Sequence, residues 1–439
     1  MDQPHLERIV ERALTLARQR GATAAEAGVG VSSGLSVTVR LGEVETLEYQ
    51  RDRSLGVTVY AGQRKGSAST ANLSPSAVEE TVSKALSIAS FTAEDEFSGL
   101  PDAALMAHDL PDLDLCHPWD IDAPGAIELA KRCEAAALAV DSRIKNSEGA
   151  SVATHQRLRV FGNSHGFIGG YPSTSHTVSC VVLGQADGEM QRDYWYTAAR
   201  DWRALEDAEE VGRMAAGRAV GRLGADKLPT RRAPILFAPE VARGLIGHLV
   251  GAIGGGAQYR RSSFLLDAAG QQIFPAAISL CERPHLPGAL GSAPFDGEGV
   301  ATRDRDLVVN GVLTGYLLDA YSARKLGLTT TGNAGGVHNL VVRGAMLDSK
   351  TLLQKLATGL LVTEMMGQGV NPVTGDYSRG AAGFWVENGV IDRPVHEITV
   401  AGNLREMYRG IVALGDDLDR RGAIQCGSML IEQMTIAGN

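Results

Sequence analysis

The residues with the clearest potential for metal chemistry lie in the stretch GLIGHLVGAIGGG, at positions 244–256. An apolar run with a histidine just ahead of a glycine cluster is typical of the metal-binding helix of a zinc peptidase. Such helices place His-Glu and a later His together, so that two imidazoles hold the metal and the carboxylate activates its water. This stretch offers one histidine, His248, and no acidic residue. A single histidine on an apolar helix is more typical of a core or interface residue than of a metal ligand.

No other motif in the sequence supports a cofactor site or a metal site. The glycine run at 254–256 does not follow a predicted strand, as a dinucleotide-binding fingerprint requires, and no Walker A sequence is present. The remaining histidines are dispersed, and the Cys116-His117 pair lies in a proline-rich loop without a partner motif. The residues therefore predict neither a cofactor nor a metal site in this chain.

Two glycine-rich segments are candidates for substrate contact. In the segment at 371–391, glycines flank an alternating strand, with Tyr377, Ser378, Arg379 and Gly380 at its start. Glycine lets another backbone approach closely, so this strand is predicted to bind an extended peptide by strand addition. An ordinary edge hairpin explains the same composition equally well. The loop TTGNAGGVHN either lines a cleft or only forms a turn, and its candidate cleft-lining residues are Gly332, Asn333 and Gly335.

The elements that must position these residues fall into two domains, 1–223 and 224–439. In the first, a helix over about residues 5–20 precedes three segments in which apolar and polar residues alternate between glycine turns. A second helix begins at Pro75, with Ser74 as its N-cap. A proline- and aspartate-rich loop at 98–120 follows. Beyond it, helices over about 123–140 and 204–223 enclose three further strand segments, so the pattern predicts two related lobes, 1–97 and 121–223.

The second domain is dense in glycines and strands. Asn-Gly pairs at 310–311 and 388–389 predict two tight hairpins. Helices are predicted at 239–253, which carries His248, and at about 349–366, where leucines recur at every fourth position. The predicted fold class is α+β, with N-terminal α/β lobes of helices and strand meanders followed by a strand-rich C-terminal domain.

Composition excludes several classes of protein. The net charge is -9 and no long basic block is present, which argues against a nucleic-acid-binding surface. The N-terminus has no signal peptide, and no apolar run is long enough to span a membrane. The five cysteines are scattered along the chain, which predicts reduced thiols in a cytoplasmic protein.

Four long segments of the C-terminal half together resemble the TldD/PmbA family. They are SSFLLDAAGQQIFP, APFDGEGVATRDRDLVVNGVLTGYLLDAYSARKLG, TTGNAGGVHNLVV and TGDYSRGAAGFWVENGVI. Within the family they look like the PmbA branch, also called TldE. The resemblance covers most of the C-terminal half, and the order of elements in the N-terminal half is compatible with it.

The family is associated with zinc-dependent proteolysis of leader segments and of unfolded or antitoxin-like substrates in the bacterial cytoplasm. Its active TldD branch carries His-Glu, three residues and a second His, and a cysteine in a C-G-K-x-G loop completes the site. The shared V-G step aligns the three motif positions with Gly247, His248 and Ala252. The cysteine loop is replaced at 413–425, and Cys426 lies too far toward the C-terminus to be that ligand.

The resemblance implies a non-catalytic, metal-free subunit of a two-chain metallopeptidase. A TldD-type paralogue would hold the zinc in a heterodimer, whereas this chain would help to hold an extended peptide and would form a homodimer when alone. A second interpretation is a homodimeric peptide-binding or regulatory protein without catalysis. A third is a peptidase with an unconventional site, which uses His248 with Glu298, Asp416 or Asp417, although no spacing draws these residues together.

Overall fold

The N-terminal half folds around one antiparallel sheet. The computed structural model describes residues 2–438. Its first helices and strands repeat the order helix, three strands, helix: α1 (Gln3–Gln19), β1 (Ala24–Arg40), β2 (Glu43–Ala61), β3 (Arg64–Thr70), α2 (Pro75–Phe91), α3 (Ala123–Leu138), β4 (Ile144–Asn163), β5 (Ile168–Ala186), β6 (Glu189–Ala199) and α4 (Ala208–Gly221). The strand order is β3-β2-β1-β4-β5-β6, so the two repeats meet where β1 pairs with β4.

All four helices pack on one face of this sheet. Alternate residues of β1, such as Val29 and Val37, point to that face and are buried. The first of these valines belongs to the apolar cluster under α1 and α2, and the second to the cluster under α3 and α4. Under the helices, strands such as β1 bury every second residue, and the helices bury residues at helical spacing against them. The result is two apolar cores that share a single sheet.

Local capping signals begin the helices of this half. The Ser74 side chain accepts a hydrogen bond from Ala77 N, so the predicted start of α2 at Pro75 is confirmed. The start of α4 was predicted too early, at residue 204. Asp207 accepts hydrogen bonds from the amides of Glu209 and Glu210, and this cap begins the helix at Ala208.

A long connection joins the two repeats and contacts the C-terminal domain. The loop predicted at 98–120 is confirmed, with one short 3-10 turn at Ala103–Leu105. The guanidinium of Arg324 donates to the carbonyl oxygens of Phe97, Gly99 and Leu100 at 2.6–3.0 Å. One arginine of the C-terminal domain therefore fixes the start of this connection.

The C-terminal domain is rich in strands, as predicted. Its elements are β7 (Arg231–Phe237), α5 (Pro239–Ile253), α6 (Gly255–Tyr259), β8 (Ser279–Glu282), β9 (Arg305–Val309), β10 (Val312–Leu313), α7 (Ala320–Leu326), β11 (Leu340–Arg343), β12 (Met346–Leu347), α8 (Ser349–Leu356), β13 (Gly359–Met366), β14 (Asp376–Glu387), β15 (Val390–Asn403), α9 (Leu404–Arg409), β16 (Ile411–Gly415), β17 (Ile424–Gln425) and β18 (Met429–Ala437). They form a five-stranded sheet, β10-β9-β8-β11-β17, and a seven-stranded sheet, β12-β16-β18-β15-β14-β13-β7. Because β7 also pairs with β18, five strands close into a ring. The fold class is α+β.

Two predicted hairpins are confirmed, and one predicted helix is shorter than predicted. The Asn-Gly turns at 310–311 and 388–389 both have positive φ angles and connect paired strands. The helix predicted at 349–366 ends at Leu356 and is followed by β13. Ala357 has a φ of 55°, which breaks the helix, and Gly359 lies where a Cβ would come within 2.5 Å of the Pro234 carbonyl oxygen. Within residues 2–438, no helix has both the length and the apolar composition needed to cross a membrane.

Candidate functional site

Helix α5 gives the three motif positions three different environments. Pro239 occupies its first turn, and its apolar residues, such as Leu249, are buried in the main core of the domain. A Cβ added at Gly247 would meet no atom within 4 Å, so this position faces open space. His248 is half-buried, whereas Ala252 is 3% exposed and belongs to the core.

His248 packs against the aromatic ring of Tyr377. The two ring centroids are 6.1 Å apart and the rings meet edge to face, at 75°. The imidazole Nε2 is buried and has no hydrogen-bond partner among the residues that the structure describes. Burial lowers the pKa of His248, and the positive charge of Arg379 lowers this pKa further. His248 is therefore a neutral imidazole at physiological pH.

Strand β14 supplies the other two members of this cluster. Tyr377 is 2% exposed, and burial raises its pKa to about 12 despite the opposing charge of Arg379. The Nε of Arg379 is buried and, within residues 2–438, also lacks a hydrogen-bond partner. The three residues His248, Tyr377 and Arg379 thus bring two unsatisfied polar atoms into the same region of the domain. We call them the His–Tyr–Arg cluster.

The predicted strand addition at β14 meets a physical obstacle. Residues 376–387 pair with β15 on one side, and residues 380–386 pair with β13 on the other. The start of β14 is also covered, because Ser378 N donates to Gly369 O at 2.7 Å. An extended peptide therefore finds no free main-chain edge along β14, and any contact there must use exposed side chains such as that of Ser378. A Cβ at Gly380 would lie 3.4 Å from Met366, which is ordinary contact.

The glycine loop at 330–339 is held by buried hydrogen bonds. Asn333 is 7% exposed, its amide nitrogen donates to Glu282 at 2.8 Å, and its amide oxygen accepts from Arg305 at 2.8 Å. Its amide is thus already occupied. Gly332 is also buried, whereas Gly335 is exposed. Of the three predicted cleft-lining residues, Gly335 is therefore the one that is accessible to solvent.

The acidic residues of the third interpretation have partners elsewhere. Glu298 accepts a hydrogen bond from Ala320 N at 2.9 Å, and Asp417 accepts two from Ser428 at 2.7–2.8 Å. Asp416 is exposed. The charged neighbour that perturbs His248 is Arg379 rather than any of these carboxylates. The structure therefore does not unite them with His248.

Glu298 nevertheless has an unusual carboxyl group. Burial raises its pKa from 4.5 to about 7, and the nearby Asp296 adds to the increase. Between these two values the folded chain binds more protons than the unfolded chain, so the free energy of unfolding decreases as pH rises through this window. We expect Glu298→Gln to remove this dependence and to stabilise the protein by about 1–3 kcal/mol above pH 7, relative to wild type.

Urea unfolding at pH 5 and pH 8 measures this effect. The substitution Glu128→Gln, on the exposed face of α3, is the control and should leave the pH dependence unchanged. Equal pH dependence in wild type and Glu298→Gln would contradict the predicted protonation.

One serine motif was missed by sequence reasoning. Residues 162–166 read Gly-Asn-Ser-His-Gly, which has the G-x-S-x-G spacing of a nucleophile elbow. Such an elbow joins a strand to a helix. Here the motif joins the antiparallel strands β4 and β5, and Ser164 Oγ accepts a hydrogen bond from Ala25 N at 3.1 Å. The motif is therefore a hairpin turn.

The side chains near α5 do not fit a zinc ion. Catalytic zinc normally takes three protein ligands and structural zinc four. Within residues 2–438, no group of three His, Cys, Asp or Glu side chains is placed to hold a metal. Cys426 lies close to the carbonyl oxygen of Pro239, at the opposite end of α5 from Ala252, and burial raises the pKa of its thiol to about 12. A protonated, buried thiol is a poor metal ligand.

Comparison with known proteins agrees with this architecture. Residues 25–89, 116–223 and 230–438 match models of the PmbA/TldA metallopeptidase domain 1, central domain and C-terminal domain. The metalloprotease PmbA of Escherichia coli O157:H7 is 52% identical over 99% of this chain and 96% of its own. A candidate modulator of DNA gyrase from Bacteroides thetaiotaomicron has a similar structure, with a TM-score of 0.94 and 28% identity over all of both chains. TldE from Thermococcus kodakarensis has the same fold, with a TM-score of 0.84 and 20% identity over 98% of this chain and all of its own. The chain belongs to the PmbA/TldD metallopeptidase family.

Proposed function

We propose that this chain is the non-catalytic, PmbA/TldE-type subunit of a two-chain zinc metallopeptidase. A TldD-type paralogue would supply the zinc site, and the pair would act on unfolded peptides or leader peptides in the cytoplasm. The observation that carries the proposal is the composition of α5, where the three motif positions hold Gly247, His248 and Ala252. One neutral, half-buried imidazole cannot replace two imidazoles and a carboxylate.

The His–Tyr–Arg cluster supports a role in holding substrate. A buried donor without an acceptor is costly, by about 1–3 kcal/mol. A peptide carbonyl or carboxylate oxygen at Arg379 Nε would remove that cost. The bare face of α5 also supports close approach, because a Cβ at Gly244, Gly247 or Gly251 would meet no atom within 4 Å. This surface would form one wall of a peptide chamber that the partner completes.

The shared fold favours a pseudo-twofold pairing with the partner. Two chains of the same fold can present the same surface to each other, and a homodimer can use that surface when the partner is absent. Catalysis would then need both chains, since one supplies the metal chemistry and the other orients the substrate.

A second candidate is a homodimeric peptide-binding or regulatory protein without catalysis. The same cluster favours it, because peptide binding needs no metal. Cytoplasmic location suits both candidates, since all five cysteines are free thiols and four of them are buried. A partner that becomes active only with this chain distinguishes the first candidate from the second.

Elemental analysis of the isolated chain tests the metal-free part of the proposal. We expect far less than stoichiometric zinc after dialysis, because the residues around α5 provide too few ligands. The variant His248→Ala should contain the same trace amount as wild type. Stoichiometric zinc in wild type that is lost in His248→Ala would contradict the proposal. It would support an unconventional site in this chain.

A further inference from the structure

A long, unpaired strand edge lies in the first repeat of the N-terminal half. Strand β2 pairs with β1 along its length, but with β3 only over residues 55–61. Among the residues that the structure describes, no strand covers the outer side of residues 43–54, and all of these residues are exposed. An extended stretch of this length spans about 40 Å. It presents a row of main-chain donors and acceptors that another strand can pair with.

The second repeat shows how the fold covers the equivalent edge. Strand β5 corresponds to β2, and its outer partner β6 reaches only residues 176–186. The uncovered part of β5 is contacted by the connection between the repeats, because Thr174 N donates to Leu115 O at 2.9 Å. Arg200 also donates to Thr174 O, at 3.1 Å. The chain therefore covers one of its two equivalent edges and leaves the other open.

The open edge lacks two of the features that prevent strands from associating. Its sequence, EVETLEYQRDRS, contains no proline and no lysine. Leu47 and Tyr49 are 45% and 69% exposed on the side of the sheet that the helices cover elsewhere. Glutamates lie in the first half of the stretch and arginines in the second, at Arg51 and Arg53. An antiparallel copy of the same strand would place the acidic half of one chain beside the basic half of the other.

We propose that residues 44–54 of β2 pair with the same residues of a second copy of this chain, antiparallel and around a two-fold axis at Tyr49. The two six-stranded sheets then form one continuous sheet. The inference assigns a surface to the homodimer proposed above. It rests on that homodimer alone, since the pairing needs no peptidase partner.

The register follows from the charges together with the length of the open edge, whose residues 44–54 are centred on Tyr49. A two-fold axis perpendicular to the sheet keeps the helices of both copies on one face and places one residue opposite itself. An axis at Glu48 puts two glutamates opposite each other, and an axis at Gln50 puts Glu48 opposite Asp52. Like charges directly opposite each other destabilise a strand pair. An axis at Tyr49 avoids both contacts and places the two tyrosines together, which is a favourable cross-strand pair.

The ends of the open edge agree with this register. Val44 of one copy lies opposite Ser54 of the other, and Ser54 is the last residue before β3 occupies the edge at Leu55. The register between β1 and β2 shifts after Thr38, so Glu45 is an extra residue in β2. Such a bulge bends a strand. The bulge at Glu45 lies beside the turn between β1 and β2. Without the bend, this turn would meet the end of β3 in the second copy.

Single cysteine substitutions determine both the pairing and its register. Three variants are prepared, Glu48→Cys, Tyr49→Cys and Gln50→Cys, and each full-length chain is oxidised. Only a residue on the axis has its own counterpart directly opposite, at a Cα separation of about 4.5–5.5 Å that suits a disulfide. We expect Tyr49→Cys to form a covalent dimer and the other two to remain monomeric on a denaturing gel. The wild type is the control for Cys116, which is half-buried. Cross-linking at 48 or 50 instead, or at none of the three, would overturn the proposed pairing.

A charge at the axis tests the same pairing without cross-linking. Tyr49→Asp puts two carboxylates opposite each other, so the dimer measured by sedimentation equilibrium should weaken at least about tenfold. Phe91→Asp, which changes an 88% exposed aromatic residue at the end of α2, is the matched control and should dissociate like wild type. A monomeric wild type, or equal dissociation constants for all three proteins, would overturn the proposal. Either result would leave the test of the peptidase partner unaffected.

Discussion

Cleavage of an unstructured peptide is expected only when this chain is mixed with a TldD-type partner, and a chelator is expected to abolish it. The physical reason lies on α5, where Gly247 and Ala252 provide no ligand and the imidazole of His248 is neutral and partly buried. The partner would supply the metal site, and this chain would hold and orient the peptide. Each chain is purified alone, cleavage is measured separately and after mixing, and co-elution of the two chains is checked by gel filtration.

A variant of this chain tests the contribution of the His–Tyr–Arg cluster to the mixture. Arg379→Gln removes the buried Nε but keeps a polar side chain, so KM should rise several-fold while kcat changes little. Arg8→Gln, on the exposed face of α1, is the matched control. If the partner alone cleaves as fast as the mixture and the chains do not co-elute, the subunit proposal fails and the peptide-binding alternative replaces it.

Sequence reasoning succeeded where a short stretch of chain determines its own conformation. The Ser74 cap and the Asn-Gly turn at 388–389 depend on neighbouring residues alone, and both are present. The segment at 349–366 was misassigned because leucines at every fourth position are equally buried when Leu360 lies in a strand. The end of α8 depends on a distant contact, the carbonyl oxygen of Pro234 beside Gly359. A local pattern contains no information about that contact.

The candidate site was predictable one residue at a time but not as an arrangement. His248, Tyr377 and Arg379 were each singled out, yet the contact between the histidine and the tyrosine follows from how α5 packs on β14. The second partner of β14 was also hidden, because β13 had been assigned to a helix. Strand addition was therefore expected along a strand that already has neighbours on both sides.

A buried ion network fastens the N-terminal half to the C-terminal domain. The carboxylate of Asp193, on β6, accepts hydrogen bonds from Arg218 at 3.2 Å and from Arg222 at 3.4 Å. Arg218 also forms an ion pair with Glu240 on α5 at 2.6 Å, and Arg222 forms one with Glu364 on β13 at 2.5 Å. The Asp193 side chain is 5% exposed, so solvent screens these charges weakly. Asp193 is the acidic group that links the two arginines.

Loss of this carboxylate should be among the most damaging single changes at the junction of the two domains. Asp193→Ala leaves two guanidiniums near each other with less counter-charge in a buried position, so we expect the free energy of unfolding to fall by about 3–5 kcal/mol. The control Glu209→Ala removes a partly exposed carboxylate that pairs with Arg132 of α3 and Arg213 of α4 at the surface, and it should cost less than about 1 kcal/mol. Urea unfolding followed by tryptophan fluorescence measures both, since Trp195 lies beside Arg218. An equal, small loss in the two variants would mean that solvent or the remaining glutamates compensate the arginines, and that apolar packing rather than this network joins the domains.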